Sequence, residues 1–381
     1  MKKIRLLHIT RPTEFGIYRF LMDLIKHMHK DKFELTVACS KKGPLTEDLK
    51  NNGIRVISLE MERNIGFLHD MKSFFSILKL LRKEKWDVIH THCAKAGFLG
   101  RIASKLAGIP SVHTAHGWYF DEPLPAIKRS FYIFLERFAA LFGNAIVALT
   151  DAERREIIHK KIAPPEGVTT IYYGIDTACF RDDIDTTDLR KHYGFSPENK
   201  IVGMIARLVT QKSPLDFVRA AAKVSQAVPE ARFIIFGEGP LRENVESLRK
   251  ELGIEDKLIL AQPSHEPGDV NRFLNLLDIS VLTSYYEGFP FVALESMYLR
   301  KPLVITEVRG TYEIIQNSKN GTIVPISDTD AMAQAIINLL KDEQRAREIG
   351  EAAHRTIEEH FTAEKMAENH EKLYMRILPK K

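Results

Sequence analysis

Short β-branched runs recur along this chain, each separated from the next by helical periodicity, and the whole series occurs twice. The first set falls at residues 4–9, 34–38, 55–59, 87–92, 111–115, 145–149 and 169–172. The second restarts at Lys200, with runs at 201–205, 232–236, 258–260, 279–283, 303–306 and 322–324. Helical patterns fill most gaps, as at 215–228 and 331–340. Strands that alternate with helices are joined by crossovers, so they pair in parallel and are covered on both faces. Two such series predict an α/β protein of two doubly wound, Rossmann-like domains, and 381 residues exceed what one ordinary core supports. The division is expected at 1–180 and 181–362, where the polar segment 181–187 follows Tyr173-Gly174-Ile175-Asp176.

With 44% hydrophobic and 28% charged residues, the composition is that of a soluble globular chain. No run approaches the roughly 18 apolar residues of a membrane span. The apolar N-terminus is interrupted by Arg5 and His8, which fits a first strand rather than a leader. Cys39, Cys93 and Cys179 are odd in number and widely spaced, which fits a reducing cytoplasm rather than a disulfide framework. Residues 1–180 carry 28 Lys and Arg against 19 Asp and Glu, whereas the remainder carries 27 against 31. A basic first half points to an anionic partner: nucleic acid, a phosphorylated lipid or a membrane surface.

The chemistry concentrates in the second half. Tyr286-Glu-Gly-Phe-Pro-Phe-Val-Ala-Leu-Glu295 follows a strand run, so Glu287 is expected in a loop at a strand's carboxyl end and Glu295 two turns into the next helix. Open α/β sheets bind ligands there. The N–H groups of Gly288 and Phe289, ahead of Pro290, are expected at the helix N-terminus, available to oxygen-rich groups. Upstream, Ala206-Arg-Leu-Val-Thr-Gln-Lys212-Ser-Pro214 joins another strand to another helix. Arg offers a planar fork to phosphate oxygens and Lys a point charge, although solvated loop charges are the plainer reading.

Four further places carry candidate residues. His116, in Val112-His-Thr-Ala-His-Gly-Trp-Tyr119, falls at a strand's carboxyl end, with a structural histidine as the alternative. Gly16, in the loop 10–17 after the first strand, would let backbone approach phosphate or acceptor. Gly237 and Gly239, in Phe236-Gly-Glu-Gly-Pro-Leu241, would let a nucleoside lie against backbone; an ordinary turn is the alternative at both glycine sites. Residues 63–86 place Phe67, Met71, Phe74, Phe75, Leu78 and Leu81 at helical spacing, among Lys72, Lys79, Arg82, Lys83 and Lys85. Such a helix can lie in a membrane interface, or simply pack on its sheet with lysines outward. His90, His92, Cys93, His113 and His116 lack the paired short spacing of zinc sites. Asp183-Ile-Asp185 falls in the expected linker and Asp328-Thr-Asp330 at a helix start, so no metal is expected.

Taken together, Arg207, Lys212, Glu287 and Glu295 resemble the retaining family 4 glycosyltransferases of bacterial exopolysaccharide and cell-surface glycan synthesis, over nearly the whole chain. That family's patterns are Gly-Arg-Leu-x-x-x-Lys-Gly and Glu-x7-Glu. This chain departs from them with Ala206 and Ser213, and with Phe15 for the first of a common Gly-Gly. The resemblance implies the GT-B architecture: two Rossmann-like domains facing a cleft, donor on the second and acceptor on the first, with a helix at about 363–381 packing back on the first. It implies transfer of a hexose or N-acetylhexosamine from a nucleotide sugar, UDP-sugar favoured, to a glycan or polyprenyl-diphosphate-linked acceptor with retained configuration. Arg207 and Lys212 would stabilise the departing diphosphate, Glu287 would hold donor hydroxyls, Glu295 the ribose, and His116 would contact the transferred sugar. Gly237 and Gly239 would belong to the nucleotide pocket. No cofactor, metal or nucleic acid is implied. A cytoplasmic enzyme is expected, with an anionic membrane surface at the inner face of the plasma membrane as a further candidate partner. A nucleotide-sugar epimerase of the same architecture, or a non-enzymatic nucleotide-sugar binder, are the alternatives.

Overall fold

A computed structural model describes residues 2–11, 15–40, 43–62, 66–263 and 268–379. The first unit opens with β1 (Ile4–Ile9), α1 (Phe15–His27), β2 (Phe33–Cys39), α2 (Pro44–Asn51), β3 (Arg55–Ser58) and α3 (Phe67–Lys83). It continues through β4 (Val88–His92), α4 (Ala94–Ala107), β5 (Ser111–Thr114), α5 (Ala126–Ala140), β6 (Ala145–Ala148), α6 (Asp151–His159) and β7 (Val168–Thr170). Its seven strands form one sheet in the order β3-β2-β1-β4-β5-β6-β7, every pair parallel. Parallel crossovers are right-handed, so reversal of strand order at β1 and β4 sends α1 and α2 to one face and α3 to α6 to the other. α4 packs against both α3 and α5. Two glycines let α4 close on the sheet: a Cβ at Gly97 would lie 2.2 Å from the His113 ring, and one at Gly100 2.5 Å from Thr91.

The second unit begins with α7 (Thr187–His192), β8 (Lys200–Ile205), α8 (Pro214–Ala227), β9 (Ala231–Phe236), α9 (Arg242–Glu251), β10 (Leu258–Ala261) and α10 (Asp269–Leu276). There follow β11 (Ile279–Leu282), α11 (Phe291–Tyr298), β12 (Leu303–Thr306), α12 (Thr311–Ile314), β13 (Thr322–Val324), α13 (Thr329–Lys341) and α14 (Glu343–His360). Its six strands, all parallel, run β10-β9-β8-β11-β12-β13. A core of Val202, Met204, Phe217, Val224, Phe233 and Val281 lies between this sheet and α8.

Contacts divide the chain into 1–174 with 363–381, and 175–362. Residues 175–180, expected in the first domain, thus belong to the second. Ile175 pairs with Thr362, Asn271 Nδ2 donates to Cys179 O at 3.3 Å, and the Phe180 ring packs 6.3 Å from Tyr298. The last helix, α15 (Ala363–Ile377), lies against α1. It is pinned to the first unit by Tyr374 on His90, Glu371 on His29 and Arg376 on Thr169. Among the described residues, no helix is long and apolar enough to cross a membrane.

Candidate functional site

In the second unit β8 and β11 are neighbours, and their carboxyl ends carry the two motif loops. After β8 the chain passes Ala206 and the exposed Arg207, makes one 3-10 turn at Thr210–Lys212, and enters α8 at Pro214. After β11 it passes Thr283 and Ser284 to Glu287 and enters α11 at Phe291. The loops meet directly: Lys212 Nζ donates to Glu287 Oε1, which also accepts from Ser284 Oγ at 2.6 Å. Both ends of the ion pair are largely buried.

Backbone and short polar side chains lace these loops together. Tyr285 N donates to Gln211 O at 2.8 Å, and Gln211 Nε2 to Tyr286 O at 3.0 Å. The Thr283 hydroxyl lies 2.7 Å from the Lys212 carbonyl and 2.9 Å from that of Ser213, and Thr306 Oγ1 donates to Ser284 O at 2.6 Å. Sequence reasoning missed Gln211, Thr283, Ser284 and Thr306. The available signal was a small polar residue closing each apolar strand. Ser213 takes φ +44°, the left-handed region where the family's glycine is at ease. Its Oγ donates to Asp216 Oδ2 at 2.8 Å, which offsets part of that strain.

Gly237 and Gly239 support the Arg207 loop. Leu208 N donates to Glu238 O at 2.8 Å, and Leu241 N to Leu208 O at 3.0 Å. A Cβ on Gly237 would fall 1.9 Å from Ala206 O, and one on Gly239, at φ +153°, 2.4 Å from Leu208 O. Close approach of two loops therefore accounts for both glycines without the nucleoside contact expected of them. Glu295 is buried in the second turn of α11. That helix starts at Phe291 with Pro290 as its N-cap, so Gly288 and Phe289 precede its first turn, and Phe289 packs 5.8 Å from the Phe361 ring.

In the first unit His116 follows β5 with φ +59°. Its Nε2 bonds His92 Nδ1 at 2.9 Å and its Nδ1 the Tyr173 hydroxyl; His92 Nε2 in turn bonds His8 Nδ1 at 2.9 Å. Beside this chain, His90 spans Tyr374 Oη at 2.7 Å and Thr114 Oγ1 at 2.8 Å, while His370 Nδ1 donates to Met366 O. Burial pushes the His8 and His116 imidazoles down to about 3, His370 to about 4, and His90 and His92 well below the ordinary range. The rings are therefore neutral, each with one donor and one acceptor nitrogen, as ring-to-ring bonding requires. With both nitrogens held, His116 could offer its ring to a sugar only by releasing His92 or Tyr173.

Among the described residues His8, His90 and His92 bring ligating atoms within 4.8 Å of one another. Both His90 nitrogens are already bonded, and His8 and His92 bond each other, so an ion held by all three would have to displace at least one of these bonds. Asp183 pairs with Arg181, Asp185 accepts from Thr187, and Asp328 caps α13 through Ala331 N at 2.8 Å. Gly16, expected in the loop after β1, lies in the first turn of α1 with open space where a Cβ would stand. Residues 12–14 of that loop are outside those described.

Residues 185–356 match the family model "Glycosyl transferases group 1", and residues 15–174 match "Glycosyl transferase 4-like domain". The chain is 30% identical over 346 residues to the UDP-Gal:alpha-D-GlcNAc-diphosphoundecaprenol alpha-1,3-galactosyltransferase of Escherichia coli, covering 89% of each. It is 29% identical over 315 residues to the N-acetyl-alpha-D-glucosaminyl L-malate synthase of Bacillus anthracis, covering 81% of this chain and 80% of that one. The crystal structure of Anabaena HepE in complex with UDP and glucose superposes with a TM-score of 0.85 at 20% identity, covering 98% of this chain and 100% of that one. At that identity the likeness speaks for the fold.

Proposed function

The chain belongs to the family 4 glycosyltransferases with the GT-B architecture, and from that premise we propose its donor, acceptor and stereochemistry. It transfers a hexose or N-acetylhexosamine from a UDP-sugar to a polyprenyl-diphosphate-linked sugar, with retention and without a metal. The observation that carries this reading is the Lys212–Glu287 pair, which sets an ammonium and a carboxylate side by side at the carboxyl ends of β8 and β11. As the bond from anomeric carbon to phosphate oxygen breaks, its electrons pass to the diphosphate. Lys212 and Arg207 answer that charge from one loop, where another enzyme would use a metal ion. Glu287 takes the sugar hydroxyls and Glu295 the ribose. The acceptor oxygen attacks from the leaving-group face, and its proton passes to the departing phosphate, so configuration is kept. The Escherichia coli relative is named for a UDP-sugar donor and a diphosphoundecaprenol-linked acceptor, which favours this pair of substrates. The Bacillus anthracis relative is named for a malate acceptor, which makes the acceptor the part to test.

The experiment incubates the purified chain with UDP-galactose, UDP-glucose or UDP-N-acetylglucosamine, each with a short-chain polyprenyl-diphosphate sugar, with malate, or alone. A single α-linked product on the lipid, read by mass spectrometry and proton NMR, is the expected result. Transfer only to malate would overturn the acceptor, and interconversion of UDP-sugars without acceptor would indicate an epimerase.

A further inference from the structure

We propose that the outer surface of α3, α4 and α5 is the face by which the first unit lies on an anionic lipid bilayer. The surface is read from these helices alone; it rests on the lipid-linked acceptor only for its purpose.

α5 packs Tyr132, Ile133 and Ala140 against the core, yet carries a second apolar stripe that nothing covers. Only Glu136 and Ala139 of its residues are buried. Ile127, Phe131, Phe134, Phe138 and, at its C-cap, Leu141 are all exposed, from 41% at Phe138 to 86% at Ile127. Their spacing of four and three residues sets them along one stripe. A sheet-covering helix ordinarily has one apolar stripe, which it buries, and this additional one faces outward. α3 repeats the pattern in its first turns: Phe67 and Leu68 are 78% and 79% exposed, with Met71 and Phe75 also outward. Of the residues the sequence singles out here, Leu78 and Leu81 go to the core together with Ile77, whereas Phe67, Met71 and Phe75 face outward. Leu106 adds an exposed apolar residue from α4, which packs between the other two helices.

The exposed charges on the same helices have one sign. Lys72, Lys79, Arg82 and Lys83 of α3 are exposed, as are Lys105 of α4 and Lys128, Arg129 and Arg137 of α5. The acids are Asp70 and Glu136, and both are paired within the unit. Asp70 binds Lys95 at 2.6 Å, and the buried Glu136 binds Arg101 at 2.6 Å. An exposed apolar face of this extent marks a contact surface. A second copy docked by the same face would set these cations against the same cations, with no acid on the three helices to answer them. An anionic bilayer answers both features: aromatic rings enter the headgroup layer while Lys and Arg reach lipid phosphates. α5 is about 22 Å long by its residue count, and it would lie in the plane of the interface rather than across it.

The test is co-sedimentation of the full chain with vesicles of phosphatidylcholine alone or mixed equally with phosphatidylglycerol, at low and high salt. Binding to the mixed vesicles at low salt is expected, with weak binding to phosphatidylcholine. Phe131→Gln/Phe134→Gln should lower the partition coefficient about tenfold or more, since two ring contacts are lost. Lys128→Glu/Arg129→Glu should abolish the preference for anionic lipid. Both pairs are exposed and lie outside the proposed donor site, so melting temperature and turnover on a detergent-solubilised acceptor should stay unchanged. A folded Phe131→Gln/Phe134→Gln chain that binds mixed vesicles as the parent does would overturn the proposal. So would light scattering that shows a dimer dissociated by the same substitutions. Vesicle binding is read without turnover, and turnover without vesicles, so failure of this proposal and of the enzymatic reading are distinct results.

Discussion

The Lys212 ammonium donates to the Glu287 carboxylate across loops that leave different strands, joining a cation and an acid 75 positions apart. Each therefore depends on the other for its position, and substitutions should show it. Lys212→Ala should lower turnover by about 10²–10³ at saturating donor, as loss of one charge-stabilising group typically does. It should also destabilise the fold by about 1–3 kcal/mol, because a largely buried carboxylate loses its ionic partner and keeps only Ser284. Arg207→Ala should cost similar turnover with little change in melting temperature, since Arg207 is exposed. Near-parental turnover in either variant would show that the diphosphate binds elsewhere.

The two glutamates should divide the donor between them. Glu295→Gln is expected to weaken UDP binding, and Glu287→Gln to spare UDP binding while lowering the transfer rate. Calorimetric titration with UDP and steady-state kinetics separate the effects. A Glu287→Gln chain that loses UDP while Glu295→Gln retains it would reverse the roles.

Gly237→Ala tests how the Arg207 loop is held. The new methyl would stand 1.9 Å from a carbonyl oxygen of backbone, which cannot rotate away. Overpacking of this kind costs about 1–3 kcal/mol. A lower melting temperature together with a turnover defect is expected, whereas Gly16→Ala, with open space at its Cβ, should leave melting unchanged. Equal melting temperatures for the two variants would remove the packing account.

Acid should unfold the first unit earlier than its carboxylates alone predict. His8, His116 and His370 titrate near 3 to 4 when folded but near 6.5 when unfolded. Below about 6.5 the unfolded chain takes up protons that the folded one refuses. Stability is thus full above that value and falls as pH drops toward the folded values, by up to about 1.4 kcal/mol per pH unit for each histidine. Denaturant melts at pH 7.5, 6.5 and 5.5 check this, and a flat profile would contradict buried neutral rings.

Exhaustive EDTA treatment should leave activity intact, because the proposed mechanism takes its positive charge from Arg207 and Lys212. Loss of activity in EDTA, restored by Mn²⁺ or Mg²⁺, would count against the metal-free mechanism.

The strands were legible because a parallel strand buried on both faces is a continuous apolar run, and β1 falls at the expected residues. Most of the other runs miss by one or two residues at one end or the other: β4, β8 and β9 start at Val88, Lys200 and Ala231 rather than 87, 201 and 232, and runs expected to 115, 149 and 283 stop at Thr114, Ala148 and Leu282. At those three ends the next residue leaves the ladder, and Thr283 serves a loop through its hydroxyl on Lys212 O and Leu149 through its N–H on Glu153 Oε2 at 2.6 Å. The Arg207–Lys212 and Glu287–Glu295 segments could be read because each is local. Of the histidine cluster, His90, His92 and His116 stand close enough in sequence to be grouped, but His8, His370 and Tyr374 do not, since Tyr374 meets His90 from 284 positions away and no periodicity records it. Periodicity also gives a helix its apolar stripe without saying which way the stripe faces, which is why α5 passed unnoticed.

The return of α15 to the first unit has a consequence for how the chain is made. Synthesis delivers the first seven strands long before the helix that completes them, with all of 175–362 emerging in between. Until α15 arrives, Tyr374 is missing from His90, Glu371 from His29, and one side of α1 has no neighbour. The second unit has its whole sheet and core as soon as its own residues are out, so it can finish first although it is begun later. The unit that is begun first is the last to close, and a chain cut short just before Ala363 would hold one complete unit and one unfinished one.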